Sequence, residues 1–366
     1  MRALYLFPQW IFICISRLIR LYINSLSEFP FKFSSIFRFV LVSTLTVLAL
    51  LVSLFHIVIV SLEQIVIAPF INIKSLRAVF IIGAPRSGTT RMHKLMLGEK
   101  EAFTSMKLWE MFFAPARSQK LVLKSLGRID DLFGSPLMKM IIWLEKKMYG
   151  KFNSIHSLSL FSVEEDALIL YHLFSCYHLS FLLGNEKDYK RMNCGDKLPK
   201  AIWEYYKICI ENHLVFESRQ KVYLSKNPFF SASIPSLRSV FPQSQFVYMK
   251  RNEEEILGSF LSLKRFLHLT FYGVAPSAQK YQEVYIYLKL WNSQAPNHQN
   301  KPYFKELEYT DLVNNPADSV LSIMSFLELD TSPEYRSYLN KQENIFRNYI
   351  SKHNYKLSDF GLELIE

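Results

Sequence analysis

Eight residues, Gly83-Ala84-Pro85-Arg86-Ser87-Gly88-Thr89-Thr90, combine a glycine-bounded turn, one cation and a run of hydroxyls. Glycines let the backbone turn tightly, so that successive N–H groups point inward at an anion. Thr89 and Thr90 then open a helix, whose N-terminus adds partial positive charge and two hydroxyl donors. The β-branched apolar run Val79 to Ile82 before the loop reads as a buried parallel strand. Strand, loop and helix together make a unit that grips phosphate.

Which phosphate it grips follows from what the loop lacks. A nucleoside-triphosphate loop carries a Lys after its last Gly to reach the terminal phosphates, then a hydroxyl to hold magnesium. Here Thr89 stands at the Lys position, and the cation, Arg86, sits inside the loop. The later strand-like runs also lack a terminal Asp that would carry an ATPase magnesium. Transfer from a phosphate-linked donor without a metal fits these residues better. Pro85 to Thr90 resemble, without a gap, the Pro-Arg-Ser-Gly-Thr-Thr loop of sulfotransferases, whose donor is 3′-phosphoadenylyl sulfate. The resemblance implies that Pro85, Arg86, Ser87, Gly88, Thr89 and Thr90 hold the 5′-phosphosulfate.

A second strand–turn–helix pattern runs from Ser244 to Phe260. Phe246 to Met249 is apolar, Lys250 and Arg251 occupy the turn, and Glu253 to Glu255 place acids in a first helical turn. Sulfotransferases carry an Arg at such a strand end and a Ser eight residues later, both on the 3′-phosphate; the matching residues are Arg251 and Ser259. Arg offers the forked donors that a phosphate accepts. The turn departs from the family's Arg-Asp-Pro or Arg-Asn-Pro, reading Arg251-Asn252-Glu253. Between the two units, Lys221 to Pro242 reads as a strand ending at Lys226, a Pro-marked turn and an amphipathic helix. Lys226-Asn227-Pro228 keeps the cation of the family's Lys-Ser/Thr-Pro but replaces the hydroxyl with an amide. Lys226 either meets charge developing on the bridging oxygen or caps a surface strand. Lys305 to Asp330 reads as a scaffold strand and helix, with Val320, Ile323, Met324 and Leu327 on one face. The tail from Ser351 resembles the family's His-x-Tyr…Phe-Gly-Leu ending, which implies a nucleotide contact for Lys352, His353 and Tyr355; a docked tail is the alternative.

Three residues compete as the base that removes the acceptor proton. Glu110 comes first, because it follows the loop by one helix and a turn, where Golgi-type sulfotransferases place a catalytic Glu. Glu165, in the cluster Glu164-Glu165-Asp166, comes second, and His156 third. A base needs reach to the hydroxyl and a pKa near the working pH.

These elements imply an α/β fold: a three-layer sandwich around a central parallel sheet, like that of P-loop proteins and sulfotransferases. The chain of 366 residues, half of them hydrophobic, has room for one such domain at 76–366, with a helical acceptor-binding insert at about 99–220. A net charge of +11 suits an anionic donor and an anionic membrane surface, and no nucleic-acid motif accompanies it. Four scattered cysteines, Cys14, Cys176, Cys194 and Cys209, read as buried thiols. Residues 1–75 form a membrane-attachment region. Phe39 to Leu62 carries no Asp, Glu, Lys or Arg and is long enough as a helix to cross a bilayer, while Leu4 to Ile23, interrupted by Arg17 and Arg20, suits an interfacial helix. Basic residues before the apolar run favour a cytoplasmic N-terminus, yet no glycosylation sequon or disulfide framework supports a lumenal domain, so the side of attachment stays open. The expected enzyme is a membrane-attached, single-pass or monotopic sulfotransferase, using 3′-phosphoadenylyl sulfate and no metal on a hydroxyl of a lipid or a carbohydrate. A P-loop kinase or nucleotide hydrolase, and a non-catalytic membrane scaffold on the same fold, are the competing readings.

Overall fold

A computed structural model of the chain describes residues 2–27, 33–70, 76–149, 159–179, 198–218, 220–272, 274–347 and 360–361. His156, Cys194, Lys352, His353 and Tyr355 lie outside the described residues.

Strands β1 (Ala78–Gly83), β2 (Phe103–Thr104), β3 (Val222–Lys226), β4 (Gln245–Lys250) and β5 (Phe304–Glu308) form one parallel sheet in the order β2-β3-β1-β4-β5. Four of them are strands read from the sequence. The fifth, β2, has two residues, too short to leave a periodic signal. Parallel strands covered on both faces need apolar side chains in both directions, and β1 divides accordingly. Ala78, Phe80 and Ile82 join a core with Tyr223, Phe246, Phe304, Trp203 and Tyr206. Val79 and Ile81 join the opposite core with Leu224, Val247 and Met249. Met92, Leu95 and Met96 cover that second core from the helix that follows the loop, and Val320, Ile323, Met324 and Leu327 from the helix expected there. The result is the three-layer α/β sandwich.

The helices before the sheet are α1 (Arg2–Ser27) and α2 (Phe33–Val66); after the loop come α3 (Thr89–Met96), α4 (Leu108–Phe113), α5 (Arg117–Leu132), α6 (Pro136–Tyr149) and α7 (Lys200–Glu217). Both N-terminal helices are long and apolar enough to cross a membrane, over Leu4–Ile23 and Val42–Val66. Each also docks on the folded domain. Trp10 donates a buried hydrogen bond of 2.8 Å to the Ala201 carbonyl. The His56 ring lies 4.6 Å from that of His172, and the Glu63 carboxylate accepts the Arg117 and Ser118 N–H groups that open α5, at 2.8 and 2.5 Å. These contacts bury the polar positions Ser53, His56, Ser61 and Glu63, whereas Leu45, Leu48, Leu51, Phe55 and Leu62 stay exposed. Helix α2 therefore has one face made for protein and another that is apolar and uncovered. The free thiols Cys14, Cys176 and Cys209 are buried, as their scatter suggested.

Candidate active site

In an open parallel sheet, ligands bind beyond the carboxyl ends of strands, where neighbouring connections leave in opposite directions. In this sheet that point lies between β1, whose partner β3 lies on one side, and β4 on the other. The Gly83–Gly88 loop leaves the end of β1, and Arg251 follows the end of β4. Gly83, Arg86 and Gly88 all have positive φ, of 150°, 73° and 93°. Such a succession turns neighbouring N–H groups toward one point and makes an anion nest. A Cβ at Gly83 would stand 2.5 Å from the Met249 carbonyl oxygen and 2.7 Å from Ser87 Oγ, so glycine is required there. At Gly88 it would meet the Tyr309 ring at 2.6 Å. Helix α3 opens without a side-chain cap, which leaves its first N–H groups for a ligand. Ser87 Oγ and Asn227 Nδ2 are buried at this edge and have no hydrogen-bond partner among the described residues. A bound anion would satisfy such orphaned groups.

The two cation-bearing turns meet. Arg86 donates from Nε to Ser259 Oγ at 2.9 Å, and Arg251 donates to the Arg86 carbonyl at 2.8 Å. Glu255, one helical turn beyond, accepts from Arg251 at 2.8 Å, and the guanidinium lies 4.1 Å from the centroid of the Tyr309 ring. Arg251 is thus held on two sides while Arg86 stays exposed. The pair Arg251 and Ser259 implied by the resemblance is brought together with Arg86, from which they are separated by 165 and 173 positions in the chain.

Lys226, at the end of β3, is buried and points at the other side of the loop. Its Nζ lies 3.4 Å from Thr90 Oγ1, 3.8 Å from a Glu164 oxygen and 3.9 Å from a Glu165 oxygen. The three consecutive acids take different directions. Asp166 points down at the sheet, accepting from Tyr206, Tyr223 and Ser225 at 2.6, 3.1 and 3.0 Å, and burial pushes its carboxyl up to about 6. That network fixes the backbone from which Glu164 and Glu165 reach Lys226. Glu165 also accepts from the Tyr177 hydroxyl and lies 3.3 Å from His178 Nε2. Burial alone would raise its pKa, but Lys226 and these partners hold it at about 2. Glu164 is buried against Ser162 Oγ at 3.1 Å and lines a cavity of about 920 Å³ together with Thr90, His93, Lys94, Tyr335 and Tyr338. Burial, reinforced by the Lys226 charge, pushes His93 down to about 3 and keeps it neutral.

Glu110 is engaged elsewhere. Its carboxylate turns back to accept the Lys107 N–H at 2.7 Å, pairs with the Lys120 ammonium and lies 3.6 Å from His213 Nδ1. Burial would raise its pKa, yet the His213 and Lys120 contacts win and hold it at about 2. Glu110, His213 and Glu217 bring ligand atoms within 4.8 Å of one another, as a metal site would, but Lys120 Nζ already sits 2.8 Å from His213 Nδ1. The ammonium supplies the positive charge there. Glu110→Gln leaves that ammonium buried opposite a neutral group and should destabilise the fold at pH 7 by roughly 3 kcal/mol. Because the folded pKa lies below the ordinary value of 4.5, this stability is complete above about pH 4.5 and fades toward pH 2. Denaturant melts of wild type and variant should therefore converge as pH falls through that window.

A loop nest after β1, an Arg and a Ser following β4 and a Lys at the end of β3 thus gather at one edge of the sheet. The profile of the sulfotransferase family matches residues 78–333, which span the whole arrangement. The chain belongs to the sulfotransferase family. Among solved structures, sulfotransferase STF9 from Mycobacterium avium is similar in fold, with a TM-score of 0.67 and 16% identity over 86% of this chain and 80% of that one. Sulfotransferase STF1 from Mycobacterium tuberculosis H37Rv gives a TM-score of 0.65 at 17% identity, covering 86% of this chain and 81% of its own. No curated protein matches the chain by sequence.

Around this candidate site of the sulfotransferase chain, the structure adds residues that sequence reasoning passed over. Tyr309 was legible only as part of a scaffold segment, yet its ring lies against Arg251 and fills the space above Gly88. Glu255 carried a signal, standing four residues after Arg251 on one helical face. Tyr177 and His178, which hold Glu165, carried none.

Proposed function

We propose that this sulfotransferase moves a sulfuryl group from 3′-phosphoadenylyl sulfate to a hydroxyl acceptor drawn from a membrane, a lipid or other hydrophobic alcohol. The observation that carries the reading is the single cluster in which Arg251 and Ser259, from beyond β4, meet Arg86 of the β1 loop, so that donors are offered to two anionic groups rather than one. The loop N–H groups, Ser87, Thr89 and Thr90 suit the 5′-phosphosulfate; Arg251 and Ser259 suit the 3′-phosphate and so fix the line of attack. The donor, when bound, supplies the sulfuryl group and leaves as adenosine 3′,5′-bisphosphate. Lys226, beside Thr90, meets the negative charge that grows on the departing bridging oxygen. Glu164 faces the cavity at Thr90 and takes the acceptor proton, while Glu165, held far below neutral pH, fixes Lys226. This reading prefers Glu164 to Glu110, whose carboxylate is occupied by Lys120. Support for a hydrophobic acceptor is the uncovered apolar face of α1 and α2 on the same molecule.

The test is transfer of labelled sulfate from 3′-phosphoadenylyl sulfate by the full chain in vesicles made from a lipid extract, with free saccharides as the competing acceptors. Label should enter the lipid fraction, and Glu164→Gln should lower kcat by roughly 10²–10³, while Glu110→Gln, assayed below its melting point, should keep most of the rate. Label in the saccharides alone would overturn the hydrophobic acceptor. An unimpaired Glu164→Gln would overturn the base.

A further inference from the structure

The acceptor insert carries an apolar surface of its own, apart from the N-terminal helices. Helix α5 exposes Leu121, Val122, Leu126 and Ile129 at helical spacing, and α6 continues with Leu137, Met140, Trp143 and Leu144. The tight turn between them is built: Gly134 and Ser135 take positive φ of 81° and 58°, and Asp130 accepts the Leu137 and Met138 N–H groups at 2.9 and 3.0 Å. At its tip Leu132 and Phe133 are 83% and 77% exposed. Water tolerates scattered apolar residues, but a stripe along both arms of a hairpin with its largest exposure at the tip calls for a cover.

Charge on the same hairpin says which cover. Two of its three acids are turned to the protein, Asp130 capping α6 and Glu145 accepting the Leu160 N–H at 2.5 Å, while Asp131 is exposed and accepts from Ser135 Oγ within the turn at 2.7 Å. Four of its cations face outward, Arg128, Lys139, Lys146 and Lys147 all being exposed, and Lys147 Nζ lies 5.3 Å from the centroid of the Trp143 ring. An apolar stripe flanked by outward cations and a Trp matches the interface of an anionic bilayer. The hairpin also starts from the candidate span, since Glu63 of α2 caps α5 and Gln119 donates to His56 at 2.8 Å.

We infer that the α5–α6 hairpin is a second membrane-inserting element, entering the headgroup and upper acyl layer of an anionic leaflet tip first. The inference rests on the membrane attachment proposed above. It makes attachment two-pointed, with the acceptor insert itself seated on the lipid. Lys120 of α5, paired with Glu110 of α4, then joins the seated hairpin to the segment that crosses to Ser162 and the acids beside Lys226, through the Leu108 N–H to Ser162 carbonyl bond of 2.9 Å.

The experiment places an environment-sensitive fluorophore on Phe133→Cys in the full chain, in a Cys194→Ser background, reconstituted in vesicles of phosphatidylcholine and phosphatidylglycerol. Leu51→Cys on the uncovered face of α2 and exposed Ser239→Cys serve as references. Each probe is quenched with nitroxide-labelled lipid and, separately, with aqueous iodide. The expected result is lipid quenching at 133 and 51 with loss of iodide access, and the reverse at 239. Iodide access at 133 with lipid quenching at 51 would overturn the hairpin while leaving the attachment standing. Shielding of 133 from both quenchers would mean a protein cover and would overturn it too. Failure of lipid to quench 51 as well would remove the attachment on which the inference rests.

Discussion

Arg251→Ala should weaken binding of adenosine 3′,5′-bisphosphate by about a hundredfold, because two charge-assisted hydrogen bonds of roughly 1.5 kcal/mol each are lost. The side chain is already aimed: Glu255 and the Arg86 carbonyl hold the guanidinium, and Tyr309 lies against its face. Little ordering entropy is therefore left to lose when a phosphate arrives, so the measured change should come close to the full interaction. Arg251→Lys should recover only part of it, since an ammonium cannot present the fork. Ser259→Ala, which removes one neutral donor, should cost about tenfold or less. Calorimetric titration reads all three, and unchanged affinity in Arg251→Ala would detach this residue from the donor site.

Lys226→Met should lower kcat by roughly 10²–10³ while changing bisphosphate affinity little. The separation follows from position. Lys226 stands 3.4 Å from Thr90 Oγ1 at the start of α3, beside the place where charge grows, whereas Arg251 and Ser259 stand across the loop. Removing the ammonium also leaves Glu164 and Glu165 without their cation, so Glu165 should titrate upward from about 2. Lys226→Arg retains the charge and should retain more of the rate. A variant that loses bisphosphate affinity by the same factor as kcat would place Lys226 in ground-state binding instead.

The parts of this site that repeat a local chemical logic were visible in the residues. A β-branched run, glycines at positive φ and paired threonines specify a phosphate loop within a dozen positions, and all of them are where that logic puts them. Arg251 and Ser259 were visible only through the family resemblance, which sets a Ser eight residues after an Arg at a strand end. What the sequence could not carry was long-range pairing of charge. Glu110 stands at the right distance after the loop, yet Lys120 and His213, 10 and 103 residues away, claim its carboxylate. Glu165 was the acid of its cluster read as a candidate base, yet it is the adjacent Glu164 that lines the cavity, on a segment that Asp166 anchors to Tyr206, Tyr223 and Ser225. The same limit applied to α2. Its apolar run reads as a membrane span, but His56 and Glu63 are polar residues whose purpose appears only when His172 and the start of α5 are brought beside them.

In the proposed reaction the loop after β1 and the turn after β4 form one site for a nucleotide with phosphates at both ends of its ribose. The decisive measurement is the melting temperature of the full wild-type chain with adenosine 3′,5′-bisphosphate, set against ATP with magnesium at the same concentration. At a hundredfold excess over Kd, a ligand that binds the native state adds about 2.7 kcal/mol, a shift of several degrees. That shift is expected for the bisphosphate, with its loss in Arg86→Ala and a smaller one for ATP with magnesium. No shift with the bisphosphate, or a larger one with ATP and magnesium, would rule out a two-phosphate site.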